Sequence, residues 1–286
     1  MVPTVPFDLV AFKEAQRTDW QLAAAGWRKW YDVLEAGGEI VSRTLVELAG
    51  IGPGDTVLDV ATGYGEPALT AARVVGPTGK VLATDIAADM LEFGRERAAR
   101  ANLDNVEFVE ADAEALLFDH ESFDAILCRQ GLQFLPDASG TLQRFHSFLE
   151  PDGRFAAAVW GPPDTVQFAR PVSVIVTALD LPAPPPGRPG IFALADRQAL
   201  ERLVVEAGFR GVETGTVTAI YETASPEDLT QWARDVAPPI ANLLNGQSPD
   251  VQEEVWRKVT EAWAPLTTAD GRVRTENQAI WVAATK

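Results

Sequence analysis

Two glycines and three acids carry the chemistry that can be read in this sequence. In Val57-Leu58-Asp59-Val60-Ala61-Thr62-Gly63-Tyr64-Gly65-Glu66-Pro67-Ala68 an apolar run gives way to a glycine turn and then to a helical pattern. Glycines at such a turn let the backbone reverse sharply and let a ligand approach where a Cβ would block it. Pro67 suits the first turn of the helix, where its missing N–H would have been unpaired anyway. Asp85 stands about 20 residues past the glycines, the standard place for a carboxylate that grips two ribose hydroxyls. Asp112, in Glu110-Ala111-Asp112-Ala113, can accept from an adenine amino group, and Ile86 and Met90 can pack on the base. Taken singly, each acid reads as a turn or cap residue. As an ordered set they read as an adenosine site.

Gly63-x-Gly65-x-x-Ala68 also fits the dinucleotide fingerprint, so a nucleotide-dependent oxidoreductase is one alternative. Three features argue against it. Glu66 would put a carboxylate near the helix N-terminus, where a pyrophosphate would sit and be repelled. Asp59, on the strand just before the turn, is a partner for a cationic ligand group. Asp112 is a second acid that a plain NAD site does not require.

The elements that must hold these residues alternate. Apolar strands are read over 56–60, 80–84, 106–109, 123–128 and 154–160, with helices over 67–75, 88–101 and 139–149 between them. This order implies a parallel sheet covered on both faces, and right-handed crossovers make it doubly wound. The acids and the glycine turn then fall at the carboxyl ends of adjacent strands, the edge where open α/β sheets bind ligands. Before the sheet comes a helical leader, residues 1–50. Trp20, Ala24, Trp27, Tyr31 and Leu34 recur there at three- and four-residue spacing, and a second amphipathic run, 40–48, stops at Gly50 and Gly52-Pro53-Gly54. After the sheet the alternation ends. Residues 161–190 are proline-rich around an apolar stretch and read as a cap; a helix over 197–207 and a strand over 212–221 follow. Residues 226–264 are helical with Trp232, Trp256 and Trp263, and 278–283 form a last strand. The division is a leader or lid, 1–50; a cofactor-binding α/β core, 51–160; a cap insertion, 161–196; a core helix and strand, 197–224; a helical cap, 225–275; and a final core strand, 276–286.

Composition narrows the partners. A net charge of −17 repels phosphate backbones at long range, so nucleic acid is not expected as a substrate. Arg95, Arg97 and Arg100, the densest basic stretch, mix with Glu92 and Glu96 and read as a solvated helix face. No run approaches the roughly 18 apolar residues of a membrane span, and the first 18 residues lack the pattern of a signal peptide. The single cysteine, Cys128, excludes an internal disulfide framework and a multi-cysteine metal site, so no metal is expected and the setting reads as cytoplasmic.

Leu58-Asp59-Val60-Ala61-Thr62-Gly63-Tyr64-Gly65, Ala83-Thr84-Asp85, Glu110-Ala111-Asp112-Ala113 and Phe123-Asp124-Ala125 together resemble the successive motifs of class I S-adenosylmethionine-dependent methyltransferases, and among them the small-molecule branch that includes the quinone-biosynthesis C-methyltransferases. The resemblance covers residues 50–160. It implies a seven-stranded, Rossmann-like sheet whose last strand is antiparallel, inserted between strands five and six. It implies S-adenosyl-L-methionine as cofactor and S-adenosyl-L-homocysteine as product. The turn, with Asp59, Ala61, Thr62, Gly63 and Gly65, would touch the methionine portion; Asp85 the ribose; Ile86, Met90, Asp112 and Ala113 the adenine. Cys128-Arg129-Gln130 matches the segment beside the methionine and the transferred methyl. One departure stands out: where many members have a third turn glycine, this chain has Glu66-Pro67.

The remaining candidates read as structural. His120 and His146 are placed as structural or solvent-exposed side chains, and nothing beside Cys128 except Arg129 would activate its thiol. Tyr31, Tyr64 and Tyr221 are available as phenolic contacts. Trp27, Trp30 and Tyr31 read as helix packing, with closure over the cofactor as the alternative; the cap tryptophans could line a pocket or seal the insertion. No catalytic side chain is assigned, because displacement at a sulfonium needs positioning and desolvation rather than a nucleophilic residue. The expected activity is methyl transfer to a small, apolar or aromatic organic acceptor. The alternative is a cofactor-binding protein of the same fold with a cyclase or regulatory role. No membrane partner is expected, and oligomeric state stays open, a homodimer included.

Overall fold

A computed structural model describes residues 8–182 and 187–286. The first seven residues of the leader, and Ala183 to Pro186 within the proline-rich cap, lie outside the described residues. Helices α1 (Leu9–Lys29) and α2 (Tyr31–Leu48) precede the sheet. Next come β1 (Thr56–Val60), α3 (Ala68–Val75), β2 (Lys80–Asp85), α4 (Ala88–Arg100), β3 (Val106–Glu110), β4 (Phe123–Arg129), α5 (Ala138–Phe148) and β5 (Leu149–Trp160). The second half holds α6 (Arg170–Leu179), α7 (Arg197–Glu206), β6 (Arg210–Thr223), α8 (Pro226–Val236), α9 (Pro238–Ala241), α10 (Pro249–Glu261) and β7 (Val273–Thr285).

The seven strands form one sheet in the order β3-β2-β1-β4-β5-β7-β6. β1 to β5 are parallel, and β7 runs antiparallel between β5 and β6. The order reverses between β1 and β4, so a crevice opens at their carboxyl ends. Period-two alternation sorts the strand residues onto two buried faces. Val57, Ala125 and Leu127 pack with α2 and α3, while Leu58, Val60, Ile126 and Cys128 pack with Phe145 of α5 and Leu200 and Val204 of α7.

Several elements differ from the sequence reading, each for a local reason. The aromatic stripe from Trp20 to Leu34 is divided, because the first helix ends at Lys29, Trp30 caps it, and the second starts at Tyr31. Strand β5 starts at Leu149 rather than Arg154: Phe123 pairs with Leu149 and Ala125 with Arg154, so Pro151-Asp152-Gly153 forms an excursion within the strand. The helical region after residue 226 is broken at Pro238-Pro239 and again before Pro249, where prolines cannot continue a helix. β6 and β7 are longer than read because they pair with each other from Arg210–Thr285 to Thr223–Val273.

Candidate active site

One pocket opens at the carboxyl edge of β1, β2, β3 and β4 and continues between α2, β6 and the caps. Its first half is walled by the ends of strands. β1 delivers Ala61, Thr62 and Gly63; β2 delivers Asp85 and Ile86; β3 delivers Ala111, Asp112 and Ala113; β4 delivers Arg129, Gln130 and Gly131. Backbone here is held in unusual conformations. Gly63 has φ +56°, and a Cβ built on it would meet nothing within 4 Å, so the turn leaves open space for a ligand. Ala61 (φ +57°) and Gln130 (φ +59°) are non-glycine residues in the left-handed region, a cost that persists where the surroundings fix it, commonly at functional sites.

Asp85 is the organising acid of this half. One carboxylate oxygen accepts from the Gly63 N–H at 2.8 Å and the other from the Ala87 N–H at 2.9 Å. The side chain thus fixes the turn while each oxygen keeps a further lone pair for a hydroxyl. Withdrawal from water raises its carboxyl above the ordinary value, against those N–H bonds. Asp112 accepts from the Glu114 N–H at 2.9 Å and from the Lys13 ammonium at 2.7 Å, and Lys13 also meets Glu114 at 2.5 Å. Arg17 reaches Glu110 at 2.7 Å, so the first helix is tied to the end of β3 by two cations. Met90 packs with Ala23, Ala24 and Ala87, with Trp20 and Trp27 against that cluster. Trp20 and Trp27 line the pocket, whereas Trp30 and Tyr31 do not. Trp30 donates to Asp235 at 2.8 Å, and the Tyr31 hydroxyl accepts from Arg97 at 3.2 Å.

Three residues expected to touch the cofactor are placed behind the wall. Asp59 shares the sheet face of Val57, beneath α3, and one of its oxygens accepts from the Ala68 N–H at 2.9 Å. It caps that helix rather than facing a cationic ligand, and burial pushes its carboxyl up to about 7. Gly65 turns toward Leu69 and Gly94. Cys128 points to the opposite face from Arg129, and burial pushes its thiol up to about 12, so it is inert packing. The remaining nine (Ala61, Thr62, Gly63, Asp85, Ile86, Met90, Asp112, Ala113 and Arg129) line the pocket.

A charged layer under the pocket went unread. Arg97 is not on a solvated face: it is 7% exposed, four residues from Phe93 and seven from Met90, on the apolar stripe of α4. That spacing was the signal that could have placed it. Its guanidinium donates to Glu66 at 3.0 Å and to the Tyr64 carbonyl at 2.9 Å, and lies 3.2 Å from Glu35. Glu66, 2% exposed, also accepts from Thr70 at 2.6 Å. The residue that replaces the usual third glycine is therefore the anchor of a buried ion pair. The Tyr64 ring lies between two guanidiniums, 4.8 Å from that of Arg97 and 5.3 Å from that of Arg129.

The second half of the pocket is aromatic. Trp160, Phe168, Tyr221 and Trp232 contact one another with ring centroids 4.9 to 6.5 Å apart, and Val236, Pro239 and Ile240 continue the wall. Gly37 in α2 makes this possible, since a Cβ there would lie 2.3 Å from the Tyr221 ring. Trp256 and Trp263 are buried in the cap instead, Trp263 donating to Thr230 at 3.0 Å. Neither histidine lines the pocket: His120 is exposed, and His146 packs on Phe209.

This sheet order, with acids gathered at its carboxyl edge, is the frame that the sequence motifs implied. Residues 51–165 match the methyltransferase domain family. The ubiquinone/menaquinone biosynthesis C-methyltransferase UbiE of Ectopseudomonas mendocina is 30% identical over 245 residues, 78% of this chain and 96% of that protein. The YcgJ protein of Bacillus subtilis has a similar structure, with a TM-score of 0.53 at 18% identity over 87% of this chain and 98% of that one. Phosphoethanolamine N-methyltransferase 2 of Haemonchus contortus, crystallised with S-adenosyl-L-methionine, gives 0.58 at 18% identity over 99% of this chain and 61% of that one. The chain belongs to the S-adenosylmethionine-dependent methyltransferase family that includes the UbiE C-methyltransferases. It is an enzyme of that class, and S-adenosyl-L-methionine is its cofactor. Among the described residues no helix is long and apolar enough to cross a membrane.

Proposed function

We propose that the enzyme methylates a small, apolar or aromatic organic molecule held in the ring-lined half of the pocket. The observation that carries this reading is continuity: one pocket runs from the strand-end acids to the Trp160–Phe168–Tyr221–Trp232 cluster. Such walls bury most of a small ligand and exclude water. In this reading 51–160 is the cofactor-binding core, with 161–196 and 225–275 as caps over the acceptor and the leader as a lid.

The strand-end residues fit a nucleoside. Gly63 leaves room for the methionine end, Asp85 offers two fixed carboxylate oxygens to a ribose, and Ile86 and Met90 offer apolar surface to a base beside Asp112 and Ala113. When bound, the cofactor supplies a methyl on a positively charged sulfur, which leaves as a neutral thioether when the acceptor's electron pair forms the new bond. The protein's part is to align acceptor and methyl and to keep the space dry. Trp20 and Trp27 close the nucleoside side, and Trp27 is fixed by donating to the Val236 carbonyl at 2.9 Å. The lid and the α8 cap are thereby joined above the junction of the two halves.

The test is a methyl-acceptor screen with labelled cofactor over small organic molecules, proteins and RNA. Label is expected in aromatic or largely apolar small molecules, with S-adenosylhomocysteine released in equal amount. Label taken up only by protein or RNA overturns the reading.

A further inference from the structure

Two arginines lie under this pocket, and they are treated differently. Arg97 is matched to Glu66 and Glu35. Arg129 lines the pocket, and among the described residues no carboxylate lies within 4 Å of its guanidinium. Its Nη1 donates to the Ser42 hydroxyl at 2.9 Å and the Gly38 carbonyl at 3.3 Å, both neutral and both on α2. The acids whose charges it feels are Glu35 and Glu66, which are committed to Arg97, and Asp59, which caps α3 at the Ala68 N–H and whose carboxyl burial pushes up to about 7; the phenol of Tyr64, a further neighbour, is likewise raised by burial. Tyr221 gives no anion either, because burial raises its phenol well above the ordinary value and keeps it neutral.

The arrangement is built rather than incidental. A Cβ on Gly38 would lie 2.9 Å from the Arg129 guanidinium, and one on Gly37 would strike the Tyr221 ring. Glycine within a helix is destabilising against alanine, and here two of them admit an arginine and a phenol to the pocket side of α2. Two more donors that line the same pocket are unspent: Trp232 Nε1 and Gln130 Nε2 are buried with no hydrogen-bond partner. Buried donors are ordinarily paired, so two unpaired ones lining one pocket call for an acceptor. A cation and two N–H donors in an aromatic compartment are complementary to an oxyanion.

Resting on the aromatic-acceptor reading, we infer that the acceptor carries an ionised oxygen, a carboxylate or phenolate, which Arg129 binds with Trp232 and Gln130 at the junction with the cofactor. The anion neutralises the buried guanidinium and fixes which atom of the acceptor is presented to the methyl. Arg129 is thus a specificity-determining residue for an acidic aromatic molecule.

The test is calorimetric titration of the S-adenosylhomocysteine complex with 1-naphthoate and with 1-naphthamide, which share a ring system and differ in charge. Naphthoate is expected to bind at least ten-fold tighter. Arg129→Met should erase that preference, Arg129→Lys should keep part of it, and Trp232→Phe should reduce it a few-fold. A second arm compares S-adenosylmethionine with decarboxylated S-adenosylmethionine, because the cofactor's own carboxylate is the other source of an oxyanion. Arg129→Met should leave the ratio of those two affinities where it is in the native enzyme. If the substitution instead weakens only the carboxylate-bearing cofactor, Arg129 serves the cofactor and the inference falls. Equal binding of naphthoate and naphthamide overturns the inference but leaves the aromatic pocket standing. Binding of neither overturns both.

Discussion

At the strand edge the pocket is made of backbone and short side chains, whereas between α2, β6 and α8 it is made of rings. The edge offers positions fixed by the sheet: a glycine with open space beside it, and an acid whose two oxygens are already locked by N–H groups. The aromatic half offers surfaces contributed by residues as far apart as Trp160 and Trp232, brought together only by packing. The first kind of site tolerates little change in shape but any change of neighbours. The second kind can be altered one ring at a time without disturbing the fold.

The sharpest way to break the comparison is at the turn. Gly63→Val would add atoms into the open space and strain a φ of +56°. Calorimetry should show S-adenosylmethionine affinity down by more than 100-fold, while the melting temperature falls by only a few degrees. Normal binding would mean that the turn does not contact the cofactor.

The next effect lies behind the same wall. Asp59 has its carboxyl raised by burial from 3.8 to about 7. A raised acid favours the protonated native state, so stability is undiminished below pH 3.8 and is lost as pH climbs toward 7. Between pH 5.5 and 7.5 the native protein should lose about 2 kcal/mol through this group. Asp59→Asn keeps an oxygen for the Ala68 N–H and should flatten that part of the curve. Urea unfolding at several pH values measures it, and parallel curves for both proteins would contradict the burial argument.

Asp85→Ala should weaken S-adenosylhomocysteine about ten-fold, about 1.4 kcal/mol. It should also lower stability by about 1–2 kcal/mol, because the Gly63 and Ala87 N–H groups lose their acceptor. Unchanged affinity by calorimetry would remove Asp85 from the ribose. The smallest effect belongs to the other half. Phe168→Leu should raise the acceptor KM only a few-fold and leave cofactor affinity within a factor of two, since Phe168 packs on the rings of Trp160, Tyr221 and Trp232. A ten-fold loss of cofactor affinity would show that the halves are not separate.

The same contrast governed what could be read in the sequence. The edge is local: strand, turn and acid follow one another within a few residues, so Gly63, Asp85 and Asp112 are legible in sequence, and they line one pocket. Errors there were of orientation. Asp59 and Cys128 belong to the right strands but face inward, which period-two alternation decides once the packing of each face is known. The aromatic half was legible only as composition. Nothing near Tyr221 in sequence announces Trp160 or Trp232, and nothing near Arg129 announces Gly37 and Gly38. Arg97 carries a charge that suggests a solvated face, but its place on the apolar stripe of α4 buries it against Glu66. Glu66 looked like a gap in a motif and is half of an ion pair.

The division of the pocket is tested most directly by a crystal structure of the enzyme with S-adenosylhomocysteine. The nucleoside should lie on Ile86 and Met90 with its ribose on Asp85, its sulfur pointing toward Arg129, and the Trp160–Phe168–Tyr221–Trp232 rings still clear of ligand. A nucleoside found among those four rings, with Asp85 and the Gly63 turn untouched, would contradict the account.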